Sequence, residues 1–191
     1  MSAVATAGPD RTWVAFVHGA DATGTMTALA GVFSTRGVSF GSLSTGVAAD
    51  GVGLIVVTFT ASERRQRLLM RTVRRLAAVR SAQVRATDDP AVRAAAVVQL
   101  PASAGPFRPP ADAAVRWSGD PAAGQPVLVE GPLTDVERVV AVARAQGAVS
   151  AATVVLPLPD DVDGADAAPH TAPHTGPAVP PPGGTQEFTQ P

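Results

Sequence analysis

Hydrophobic and polar positions along the chain follow two periods, and the switches between them mark the elements. Residues 12–18 (TWVAFVH) are dense in β-branched and aromatic side chains and stop at Gly19, which predicts a strand. From Thr23 the apolar positions take helical spacing, with Met26, Leu29, Ala30 and Phe33 on one stripe and Gly37 as a C-terminal stop. Residues 38–47 and 51–60 are extended runs joined through Asp50-Gly51, a hairpin signal. Thr60-Ala61-Ser62-Glu63 then offers a cap and a first-turn acid for a second helix with Leu69, Val73 and Leu76 inward. Arg64, Arg67, Arg71, Arg74 and Arg75 occupy much of the rest of that helix, which reads first as a solvated face. Residues 79–86 return as a strand, closed by Asp88-Asp89-Pro90.

The order βαββαβ predicts an α+β, ferredoxin-like domain over residues 11–87, in which right-handed crossovers put both helices on one face of a four-stranded antiparallel sheet. The opposite face is then bare. A unit of this size has a thin core, so a partner or a second copy is expected to cover it.

Residues 91–158 repeat part of the plan as a smaller, eroded α+β domain. Residues 94–100 and 127–131 read as strands, Thr134-Asp135-Val136-Glu137 as a capping box, and Val136, Val139, Val140 and Ala143 as the inward stripe of a helix. Gly147 ends that helix and residues 149–156 form a last strand. A first helix is missing, because residues 101–126, with six prolines and three glycines, fill its place as a loop. Residues 159–191 hold eight prolines and few large apolar side chains, so they are expected to form a disordered tail.

Composition narrows the function. All 15 basic residues are Arg, and the chain has no Lys, Asn, Tyr or Cys, so neither a disulfide framework nor a Cys-ligated metal site is available. The net charge of −1 gives no reason to expect nucleic acid. No apolar run approaches the roughly 20 residues of a membrane span, and residues 1–10 lack the basic start and apolar core of a secretory signal, so the expected location is the cytoplasm. No Ser/His/Asp set, phosphate-cradling Gly-Lys motif or paired carboxylates stand in a structured region, which argues against an enzyme. His18, ending a strand in apolar company, reads as a structural histidine, and His170 and His174 lie in the Pro-rich tail.

With the elements placed, residues 31–43 (GVFSTRGVSFGSL) resemble the G-L-F-S-x-R-G-Y-N-I-x-S-L stretch of the small, regulatory subunit of acetolactate synthase, an ACT-domain family. Asp21-Ala22-Thr23-Gly24 is similar to that family's D/N-x-x-G loop before the first helix, and Asp89-Pro90-Ala91-Val92-Arg93 to its junction between domains. The resemblance implies a non-catalytic homodimer, paired through its ACT sheets, that docks on the large catalytic subunit. It would activate that subunit and confer feedback inhibition by valine or another branched-chain amino acid. Thiamine diphosphate and magnesium would belong to the catalytic partner, so this chain needs no cofactor. The implied effector site is Asp21, Ala22, Thr23, Gly24, Thr25 and Met26, with Ser39 contributed across the dimer.

Elementary chemistry suits such a loop to an amino acid. The first turn of a helix presents unpaired N–H groups and a positive dipole end to a carboxylate, Gly24 permits close approach, and the Asp21 carboxylate can accept an ammonium. The plainer alternative makes Asp21 or Thr23 a helix cap and Gly24 a tolerated small residue. The family usually has Asn at the places of Asp21 and Ser39 and an acid at that of Gly41, and these departures favour an alternative reading, a stand-alone amino-acid sensor or interaction module without the enzyme partner.

Overall fold

The structure, a computed structural model, describes residues 9–19, 22–47 and 52–158. The Asp50-Gly51 hairpin, Asp21, and the tail with its two histidines lie outside the described residues.

The first unit runs β1 (Arg11–Gly19), α1 (Ala22–Thr35), β2 (Phe40–Val47), β3 (Gly53–Ala61), α2 (Glu63–Val73) and β4 (Val79–Ala86). Its sheet is antiparallel in the order β2-β3-β1-β4. Period 2 sorts the side chains cleanly: Ala15, Val17, Ile55, Val57 and Phe59 face the helices, where Leu29, Phe33, Leu69, Met70 and Val73 meet them in one buried cluster. Ser62 caps α2, its hydroxyl accepting from the Arg65 N–H, and Gly37 takes the positive φ of 61° that turns the chain out of α1. The α1 stripe is rotated from the sequence expectation: Thr25, Leu29 and Phe33 are buried, Met26 is half-buried and Ala30 is exposed. His18 is satisfied as expected, its Nδ1 lying 3.2 Å from the Ser81 hydroxyl.

The second unit runs β5 (Arg93–Gln99), β6 (Arg116–Ser118), β7 (Val127–Pro132), α3 (Leu133–Ala145) and β8 (Ser150–Val155), with sheet order β6-β7-β5-β8. This is the order of the first sheet with the first helix deleted. Residues 101–126 supply two single turns (Ala102–Ala104 and Pro121–Ala123) and β6, three residues too short for periodicity to reveal. Thr134 does not cap α3. The helix starts at Leu133, directly after β7, and the Leu133 N–H donates to the Val92 carbonyl. Asp135 instead accepts from the Ala114 N–H and from Arg138, which also reaches Asp112, so the acid ties the irregular segment to the helix. Those Arg138 hydrogen bonds hold the Asp112 carboxyl below its ordinary value.

The bare face of the first sheet is covered from within the same chain. Val14, Phe16, Leu54 and Val56 belong to one continuous buried cluster with Val136, Val139, Val140 and Ala143 of α3 and with Ala94, Ala96, Val98, Val127 and Val129 of the second sheet. Each half supplies the apolar layer the other lacks, because the buried stripe of α3 joins one cluster with the faces of both sheets. The exposed apolar face is the far side of the second sheet, where Val97, Leu128 and Val154 are each about half exposed (48%, 48% and 49%).

Where the two halves meet, a cleft of about 430 Å³ opens among Thr12, Ser42, Thr58, Leu133, Glu137 and Arg144. Burial over this partly apolar floor pushes the Glu137 carboxyl above its ordinary value. The folded state therefore binds the Glu137 proton more tightly than the unfolded chain, so this group costs stability once pH rises through its raised value. Glu137→Gln is expected to raise the melting temperature at pH 7, with the gain over wild type closing below about pH 4, where both side chains are neutral. A gain that persists unchanged at low pH would show that packing rather than charge is responsible.

Candidate functional site

The end of the first sheet where β1 runs out is built around a close approach. The Thr25 side chain is fully buried, and its hydroxyl donates to the Ala78 carbonyl at 3.1 Å, pinning the first turn of α1 to the segment entering β4. Only glycine fits at the end of β1: a Cβ on Gly19 would run into the Thr25 hydroxyl and stand 2.8 Å from Ala78 O. Thr23 and Gly24 are exposed on the same turn, and Thr27 donates back to the Thr23 carbonyl at 3.1 Å. Met26 half-covers the core beneath. Thr23, Gly24, Thr25 and Met26 thus share one helical turn that begins at Ala22, with Thr25 turned inward and Thr23 and Gly24 outward.

Ser39 is not part of that cluster within one chain. The register pairs Phe40 with Phe59 and Phe59 with Trp13, whereas Gly19 pairs with Gly53 beside Val47. At roughly 3.3 Å per residue, the span from Trp13 to Gly19 puts Ser39 about 20 Å from the α1 start, at the opposite end of the sheet. Gly41 also has a structural reason. It sits at a register shift between Phe40 and Ser42, where a Cβ would stand 2.9 Å from Thr58 Oγ1, and the neighbouring Ser42 and Thr58 hydroxyls hydrogen-bond at 2.7 Å. A larger residue at position 41 would break that arrangement.

β2 is the edge of the first sheet, with Leu43 37% and Val47 76% exposed. An unpaired edge is a template for a further strand. Sequence reasoning missed the burial of one side chain and the bond of another. Gln66, which sequence patterning placed nowhere, is only 5% exposed, and Trp13 donates its indole N–H to Ala61 O at 2.9 Å. Both line a groove along α2 with Arg67 and Arg71. Neither carries a sequence signal, since a lone Gln among five Arg looks like surface.

The fold these elements define is α+β and ACT-like: two antiparallel four-stranded sheets with three helices. It is similar to the crystal structure of acetolactate synthase small subunit from Thermotoga maritima, with a TM-score of 0.54 and 15% identity, over 76% of this chain and 94% of that one. The ligand-free regulatory subunit of aspartate kinase from Thermus thermophilus also matches, at a TM-score of 0.39 and 12% identity, over 74% of this chain and 96% of that one. No protein-family model matches the chain, and no curated protein matches its sequence. Among the described residues, no helix is long and apolar enough to cross a membrane.

Proposed function

We propose that the chain is a non-catalytic regulatory subunit of acetolactate synthase, acting in branched-chain amino-acid biosynthesis in the cytoplasm. As a homodimer it binds valine or a related amino acid and transmits that binding to the thiamine-diphosphate catalytic subunit. The observation that carries the reading is the register of the first sheet. Two β2 edges paired antiparallel about a two-fold axis bring the start of one strand beside the end of the other. Ser39 of one protomer then approaches the Ala22–Met26 turn of its partner, which supports a shared pocket that a single chain does not form. The α1 N-terminus receives the effector carboxylate, Asp21 its ammonium, and Ser39 a second polar contact. The likeness in fold to the Thermotoga small subunit along nearly its whole length supports the same assignment.

Mixing the full chain with an acetolactate synthase catalytic subunit is expected to raise the rate of acetolactate formation and to make it valine-sensitive. Replacing both Leu43 and Val47 by Glu sets like charges against each other across the paired edges. That variant is expected to elute as a monomer and to lose valine binding at least roughly tenfold. A wild-type chain that is monomeric in solution, or that neither binds the catalytic subunit nor alters its rate, overturns the proposal. A dimer that binds an amino acid in calorimetry but ignores the enzyme favours the stand-alone sensor, the reading to which the absent helix of the second unit points.

A further inference from the structure

The arginines of this protein differ in whether they hold a carboxylate. Arg11, Arg85, Arg93, Arg116 and Arg138 each hold a carboxylate: Asp88, Asp89, Glu130 for both Arg93 and Arg116, and Asp112 with Asp135. Among the described residues, those of α2 make no ion pair, nor do Arg74 and Arg75 just after it or Arg36, Arg80, Arg108 and Arg144 elsewhere. Arg67 and Arg71 lie one turn apart on α2 and Arg75 in the turn that follows it, so their charges repel, and Glu63, which lines the same groove, pairs with none of them. The Arg74 Nε is taken by the Ala82 carbonyl at 3.0 Å, which holds that guanidinium against β4.

These side chains wall a groove of about 680 Å³ between α2 and β4, floored by Met70, Val84 and the Trp13 ring. That volume lies within the range of small-ligand sites. At its base is Gln66, 5% exposed, whose amide has no hydrogen-bond partner among the described residues. A buried amide left unpaired costs stability, and the like charges of the exposed arginines add a smaller cost. A solvated helix face accounts for the exposed arginines but not for the glutamine, which such a face does not bury. Both costs vanish when a compact anion with several oxygens enters the groove, the guanidinium groups binding its charge and the Gln66 amide donating to one oxygen.

We infer that the α2–β4 groove is a binding site for a small phosphate-class polyanion, held by Arg67, Arg71 and Arg75 and read at its base by Gln66. The site is independent of the proposed effector pocket, which lies at the start of α1. A polyphosphate fits better than an acidic protein surface, because the amide that needs a partner sits at the bottom of a concavity where a flat surface does not reach.

Calorimetry of the full chain against inorganic pyrophosphate tests this, in buffers matched for ionic strength with sodium chloride. One saturable site is expected, with affinity falling as salt screens the charges. Arg67→Ala and Arg71→Ala are each expected to weaken it roughly tenfold or more, and Arg64→Ala, outside the groove, to leave it unchanged. Gln66→Leu is the decisive variant. It should bind pyrophosphate several-fold more weakly while melting higher than wild type without ligand, since it removes the unpaired amide, and that higher melt also shows that the variant folds. Unsaturable binding, or affinity that Gln66→Leu leaves intact, overturns the inference. So does a hexaglutamate peptide that binds where pyrophosphate does not, which would make the groove a protein-docking surface.

Discussion

Phe16→Ala is expected to destabilise both halves of the molecule at once. Phe16 is fully buried on the face of the first sheet that packs toward α3, in the same cluster as the α3 valines and the second sheet. Truncating such a ring to a methyl costs about 3–5 kcal/mol in lost transfer energy and residual cavity. Whole domains are commonly stable by only about 5–15 kcal/mol, so the melting temperature should fall by on the order of 10 °C. The two tryptophans make the test specific, because Trp13 lies in the first unit and Trp117, packed edge-on to Phe107, in the second. With Trp117→Phe or Trp13→Phe backgrounds, each fluorescence transition reports one half. Coincident transitions that shift together are expected. A Trp117 transition that stays in place while the Trp13 transition falls would show that the halves do not share a core.

Phe33→Ala is expected to cost a similar amount through a different route. Phe33 is 2% exposed and forms the hub of an aromatic cluster, its ring centroid 4.6 Å from that of Phe40 and 5.3 Å from that of Phe59, the latter nearly perpendicular. Edge-to-face pairs add roughly 0.5–1.5 kcal/mol each beyond the area they bury. The substitution therefore loses about 3–5 kcal/mol from truncation, and the loss falls on the anchor of α1. Hydrogen exchange should accelerate along residues 22–35 more than along residues 133–145, and amino-acid binding should weaken, because the turn carrying Thr23, Gly24 and Met26 belongs to the loosened helix. Phe33→Leu keeps most of the volume and should restore most of both properties. Unchanged protection of α1 in Phe33→Ala would mean that the helix is held by something other than this cluster.

Much of the first unit was legible because its signals are local and agree. The apolar runs of β1 and β3, a cap at the start of α2 and the Gly37 stop each follow from a few adjacent residues, and each is where patterning put it. The repeat of the plan in the second unit was legible for the same reason, as was the missing helix in its proline-rich stretch. Errors arose where a residue's role depended on a distant neighbour. Thr134 reads as a cap, yet the β7–α3 junction is continuous and Val92 supplies the bond a cap would make. Gln66 went unassigned, and the groove wall buries it. Thr25, an effector candidate by resemblance, has a structural bond that no local pattern announces, its hydroxyl reaching Ala78, 53 residues away.

Hydrophobic periodicity and turn chemistry by themselves determined the element order and the α+β class, because these are properties of neighbours along the chain. Only tertiary structure decided that the second half covers the first sheet, that β2 is left as an edge, and that Ser39 stands a sheet's length from the α1 turn. Apolar surface seeks cover without specifying whose, so pattern alone cannot tell a second domain from a second copy. Here α3 supplies the cover, and what stays open is the edge and the arginine-lined groove.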